Sequence, residues 1–275
     1  MILTLSADFI LHWTALLCYV PAMVANGWGV VFDRPRGVAT GRFFLLAGLL
    51  AHGLALLSRW LTTGHGPYIS RYEVLSSNAW VALVLYLLAG RIYPRVRPAS
   101  IVVFPAAFFL IALGMVTDRE MHNLPPTFHS GWLVLHVLFY KVALATLLVG
   151  FAFSLFLILR RHAGRPWLDR LPDSPACDVH AYRFAGFGFI FWAVAMLTGS
   201  IWAYQSWGRF WAWDPIETWS LATWGLLGLY LHLRRFFGWQ GKRAAWLYLG
   251  CFAVSLIVVF FLPLFDSSVH SSYFQ

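Results

Sequence analysis

Charge is what this sequence has least of. Only 11% of its 275 residues are Asp, Glu, Lys or Arg, where a water-soluble domain carries roughly 25%. That shortage, beside 60% hydrophobic residues, excludes a soluble globular domain and leaves an integral membrane protein. Acidic side chains are scarcer still, 11 against 20 Lys and Arg. In a membrane chain the resulting net charge of +9 reads as topology and not as nucleic-acid affinity. Cysteine occurs three times, at Cys18, Cys177 and Cys251, far apart and without a CxxC pair. Nothing there supports a disulfide, a zinc site or a thioredoxin-like centre. The opening MILTLSADFILHW has no positive segment and no small-residue cleavage site, so it reads as the start of a span rather than a removed signal. Internal repeats are absent, as is any linker long enough to separate two domains, and one domain over 1–275 is expected.

What is present is long apolar runs. A span takes about 20 apolar residues, and eight candidates fit: 9–31, 43–58, 74–90, 99–117, 132–159, 184–204, 215–233 and 244–262. The expected fold is an all-α polytopic bundle of about eight transmembrane helices. Alternate loops hold fifteen of the twenty basic residues, including Arg34, Arg36 and Arg42, Arg91, Arg95 and Arg97, and Arg234, Arg235, Lys242 and Arg243. The positive-inside rule makes those loops cytoplasmic, so both termini fall on the outer side. The loop at 61–77 is then external, with His65, Arg71 and Glu73 expected as solvated residues.

Tryptophan is concentrated. Six of the fifteen, Trp202, Trp207, Trp211, Trp213, Trp219 and Trp224, lie within 23 residues on the outer side. Such a segment is either an interfacial belt or a platform for a large planar apolar ligand. Within it, AWDPIE at 212–217 has the pattern of a helix start: Asp214 as N-cap, Pro215 first, Glu217 as capping-box partner. A helix N-terminus beside indole faces also offers dipole and N–H groups to a carboxylate. Arg209 and Arg71 could add charge-assisted contacts, or be plain surface arginines.

Histidines sort by depth. Eighteen uncharged residues follow Lys141, which marks the outer rim by snorkelling. His136 stands five residues earlier, about 7 Å further out on the same helix, and His270 follows the last span on that side. Two imidazoles flanking an aromatic floor are what a bis-histidine haem site requires; two interfacial histidines that never meet fit position equally well. His232 lies near the inner boundary and His52 about 15 Å deep, at levels about 12 Å apart, which argues against one iron between them. A single-ligand role for His232 stays open, while His12, His162 and His180 read as packing or solvent.

WAYQSWGRFWAWDPIETWSLATW resembles the tryptophan-rich WWD signature of haem-handling cytochrome c biogenesis proteins, and its W-D-P-x-E-T-W form looks like the CcsA/ResC branch. HGLALLSRWLTTGHGPYISRYEVLSSNAW, GWLVLHVLFYKVALA, YLHLRRFFGWQGKRA and DSSVHSSY are similar to further stretches of that branch. Ile216 stands where the family usually has Lys, and Ser70 where it usually has Asn. The resemblance implies a subunit of a cytochrome c synthase in the bacterial inner membrane or the thylakoid, with haem b as transported substrate. It makes His136 and His270 the axial ligands and His232 a transient one. Trp202, Trp207, Trp211, Trp213 and Trp219, with Asp214 and Arg209, would surround the haem. Apocytochrome CxxCH and a ResB/CcsB-type membrane protein would be the partners. Catalysis would be positioning rather than acid–base chemistry. A haem exporter or regulator without ligation, and a structural subunit of a respiratory complex, are the alternatives.

Overall fold

A computed structural model of the chain describes residues 6–117, 124–160 and 167–262. Eight α-helices run through them: α1 Ala7–Val31, α2 Pro35–Thr63, α3 Arg71–Ile92, α4 Ser100–Met115, α5 Gly131–Leu159, α6 Ser174–Trp207, α7 Pro215–Phe236 and α8 Gly241–Leu256. There is no strand among the described residues, and the expected all-α polytopic membrane bundle is the fold found. Seven helices are long and apolar enough to cross a membrane, α4 by including the 3-10 turn Pro94–Ala99 and α8 by continuing through the π turn Ile257–Phe261. α7 has a span's length, 22 residues, but it starts on Glu217, Thr218 and Ser220 and ends on Arg234 and Arg235. Several helices overrun the expected spans. α2 starts at Pro35, a residue with no N–H to leave unsatisfied in a first turn.

The helices sort into two compact units, 1–124 with α1 to α4 and 125–275 with α5 to α8. In the first, α1 and α2 form a hairpin that approaches closely because its seam is built from small residues. Gly37 sits against Gly29, Gly41 against Asn26, and Gly48 under the Tyr19 ring, where an added methyl would stand 2.6 Å from the ring. α3 starts with a capping box: Ser70 Oγ accepts from Glu73 N–H at 3.3 Å, and Glu73 Oε2 accepts from Ser70 N–H at 3.3 Å.

In the second unit α5 is the centre, with every residue from 143 to 150 buried. It packs on α6 and α8, and α7 packs on both of those. Tyr248 of α8 reaches into this packing and donates its hydroxyl to Leu147 O at 2.9 Å. Asp178 ties three helices together at one end. Its carboxylate takes both Arg234 Nη groups of α7 at 2.6 Å and the Gly241 N–H that starts α8 at 2.8 Å. Bidentate pairing of this kind fixes orientation as well as charge.

Candidate functional site

The tryptophan segment is a helix end, a turn and a helix start. α6 closes on Gly208, left-handed at φ 72°, whose N–H reaches Tyr204 O at 2.9 Å. The chain then doubles back, stacking Phe210 on Tyr204 with centroids 4.3 Å apart and planes at 7°. Trp213 is also left-handed, at φ 59°, a conformation that costs a non-glycine residue about 1–2 kcal/mol. Glu217 and Asp214 hold it there. Glu217 Oε2 accepts from Ala212 N–H at 2.7 Å, and Asp214 Oδ1 accepts from Glu217 N–H at 2.8 Å. Asp214 is thus the N-cap and Pro215 the first residue of α7, as the sequence suggests. Glu217 reaches past the N-cap to Ala212, and this bridge turns the Trp213 indole outward, 70% exposed.

His136 sits in the second turn of α5, half-buried. Its Nδ1–H donates to Ala195 O of α6 at 2.8 Å. A carbonyl only accepts, so in the neutral ring Nδ1 holds the proton and Nε2 the lone pair. Gly199 makes the room: a methyl there would overlap the imidazole. The ring stands edge-on to Tyr140, at 4.9 Å and 88°, and 6.2 Å from Trp202. Tyr140 is hydrogen-bonded to Ser220 of α7, and Trp192 Nε1–H donates to Ser220 O and Oγ, both at 3.1 Å. Three helices therefore fix the imidazole from behind, the arrangement by which outer partners set a metal-ligating histidine.

The six tryptophans do different jobs. Trp202 is buried, gives its indole N–H to Thr127 O at 2.9 Å, and packs on Trp207 at 4.9 Å and Phe128 at 5.5 Å. Trp224 stacks on Phe189 at 4.8 Å. Trp211 lies edge-on to Trp213 at 6.0 Å, and its buried Nε1–H has no acceptor among the described residues. Trp213 and Trp219 are exposed, as is Arg209. Asp214 and Glu217 already place two carboxylates at the α7 N-terminus, leaving Arg209 the better-placed charge for an anionic ligand. His232 lies eighteen residues along α7 from Asp214, about 27 Å away. It faces outward between Phe236 at 4.7 Å and Phe237 at 5.7 Å. His270 lies outside the described residues. Lys141 is buried, 7% exposed, and so does not mark the water boundary by reaching towards it.

The first unit holds a polar cluster that sequence reading dispersed. Of the residues expected to be solvated there, only Arg71 is exposed; Glu73 and His65 are buried. Arg59 Nε–H donates to Glu73 Oε1 at 2.7 Å, its Nη1 lies 3.7 Å from Asp8, and its guanidinium stands 5.0 Å over the Tyr72 ring. Burial and the Glu73 charge push the Tyr68 phenol up. His12 and His52, 5.4 Å apart, are both bonded to Ser76, so His12 is not mere packing, whereas His180 packs on Phe153 at 4.9 Å. Two signals mark this cluster in the sequence. Ser70 and Glu73 have capping-box spacing. Asp8, His12, Tyr19 and Asn26 fall at steps of four and seven, on one helical face.

A family model described as Cytochrome C assembly protein matches residues 46–270. The CcsA cytochrome c biogenesis protein of Chlamydomonas reinhardtii is 34% identical over 82% of this chain and 65% of its own length, so the chain spans just under two thirds of that relative. The CcsA protein of Synechococcus elongatus is 29% identical over 97% of this chain and 95% of its own. That of another Synechococcus strain is 31% identical, over 89% and 88%. Among solved structures, the cytochrome c haem lyase CcmF shares the fold at a TM-score of 0.68 and 17% identity, over 94% of this chain and 48% of that one. With most of its length matched in this way, the chain belongs to the cytochrome c assembly protein family, in its CcsA type.

Proposed function

We propose that the second unit binds haem as a substrate and presents it for attachment to cytochrome c, both units serving one haem-handling function. The observation that carries this is His136. Its proton is fixed on Nδ1 by Ala195 O, so Nε2 is the nitrogen that carries the lone pair, the tautomer in which an imidazole ligates iron through Nε2. His270 would supply the second axial nitrogen. Trp213 and Trp219 offer the exposed aromatic faces against which a flat macrocycle packs, while Trp202 and Trp207 support the imidazole from below. Arg209 would meet a propionate.

The apocytochrome CxxCH thiols would add across the two vinyl groups, sulfur to one carbon and hydrogen to the other, giving two thioethers. Nothing in that addition asks for a strong base from this chain, and the cap geometry explains why the carboxylates in the segment are not one: both are spent on the start of α7. What the chain contributes is placement. Haem would arrive from the side of His232, whose outward ring is consistent with transient ligation. A ResB/CcsB-type membrane protein would complete the synthase.

The test is the absorption spectrum of the purified protein. His136→Ala and His270→Ala should each lose the haem band, and added imidazole should restore it. Unchanged spectra in both would remove axial ligation. Spectra that change while holocytochrome formation in cells persists would reduce the site to haem storage.

A further inference from the structure

The first unit contains a chain of hydrogen bonds that the haem site does not use. Tyr19 O–H and His52 Nδ1 are 3.0 Å apart, His52 Nε2 and Ser76 Oγ 2.8 Å, and Ser76 Oγ and His12 Nε2 2.7 Å. His12 Nδ1 lies 2.7 Å from both Asp8 O and the Tyr72 hydroxyl. Each imidazole is engaged at both nitrogens, and all five side chains are buried. At the loop end stand Asp8, Arg59 and Glu73; the other end stops at Tyr19, eleven residues or about 16 Å along α1 from Asp8.

We propose that His12, Ser76 and His52 form a proton relay between that charged end and the middle of the unit. At rest neutral His12 holds its proton on Nε2 while the Tyr72 hydroxyl donates to Nδ1. A proton from water at the loop end then enters at Nδ1 and makes His12 an imidazolium, with Nδ1–H on Asp8 O. Its Nε2–H passes to Ser76 Oγ as the Ser76 hydroxyl proton passes to His52 Nε2. His12 is left neutral, with Nδ1–H on Asp8 O, and His52 becomes the imidazolium, with Nδ1–H on the Tyr19 oxygen. One proton has moved, no electron has, and the reverse shift resets the chain. A polar brace needs one such bond. Two imidazoles joined through a hydroxyl that is donor to one and acceptor from the other are a route.

Full-length protein, labelled with 15N-histidine in lipid nanodiscs, tests this through exchange of the ring N–H protons with water. The His12 and His52 signals are assigned from His12→Gln and His52→Gln. In the unsubstituted protein the proton that the relay delivers to His52 Nε2 should exchange far faster than the backbone amides of α2 around it, and faster as pH falls. Ser76→Ala should slow His52 at least tenfold and leave His12 fast; Ser76→Thr, which keeps the hydroxyl, should restore the rate. A His52 proton as protected as its backbone, or one indifferent to Ser76→Ala, overturns the relay. So does Ser76→Thr behaving like Ser76→Ala.

Discussion

The two units set their distinctive residues in opposite ways. The first turns polar side chains inward: Asp8, His12, His52, Arg59 and Glu73 are all buried, and each is bonded to others of the set or to Ser76. The second turns its distinctive residues outward or half-outward, with Trp213 at 70% and Trp219 at 52% exposure. Its buried tryptophans act as struts behind them. A closed network contributes to stability and transmits within itself, whereas an open aromatic surface contributes little to folding and is available to a ligand. Closed polar groups and open aromatic faces thus carry different consequences, and substitutions should separate the two.

The largest effect belongs to the closed network. Glu73→Leu takes from Arg59, 3% exposed, the carboxylate that stands 2.7 Å from its Nε. Removing one partner of a buried ion pair typically costs about 3–5 kcal/mol. The variant should melt earlier in detergent, and its loss should be confined to the first unit. Thiol labelling reads this out, because Cys18 lies in the first unit and the buried Cys177 and Cys251 in the second. Faster labelling at Cys18 alone is expected. Equal acceleration at all three would mean that the network holds both units and would erase the contrast.

An intermediate effect is expected at Gly199. Ala there would place a methyl inside the His136 ring, and overpacking costs about 1–3 kcal/mol. The more telling readout is the haem band, which should weaken as though His136 itself had been altered. A folded Gly199→Ala protein with a full haem band would show that the Ala195 bond is not what sets the imidazole.

How these contrasts arise was only partly legible in the sequence. Eight helices, their order and the start of α7 at Asp214 follow from apolar length and capping chemistry, both of which are local. The match of WDPIETW to a known signature pointed to the family and to the segment proposed to hold haem. What stayed hidden was long-range. His12 and His52 are forty residues apart and meet only because Gly37, Gly41 and Gly48 let α1 and α2 approach. Glu73 looked like a loop residue because its partner, Arg59, is fourteen residues away on another helix. Nor does spacing alone tell Trp202, a strut, from Trp213, a surface. That distinction depends on Thr127 accepting one indole N–H and on a left-handed turn expelling the other ring.

The smallest effect on stability, and the sharpest on the division among tryptophans, is expected from Trp213→Gly. Glycine tolerates φ 59° without the steric cost a tryptophan bears there, so the backbone should gain up to about 1 kcal/mol. Little packing is lost with an indole already 70% in the open. Melting should therefore stay level or rise by a few degrees, while haem affinity in a titration of the purified protein falls. Trp202→Ala should do the reverse in stability, because it empties a buried site and takes the indole donor from the Thr127 carbonyl. If Trp213→Gly melts several degrees lower, the ring is a packing element after all. The left-handed turn would then be a consequence of that packing and not a device for presenting the indole.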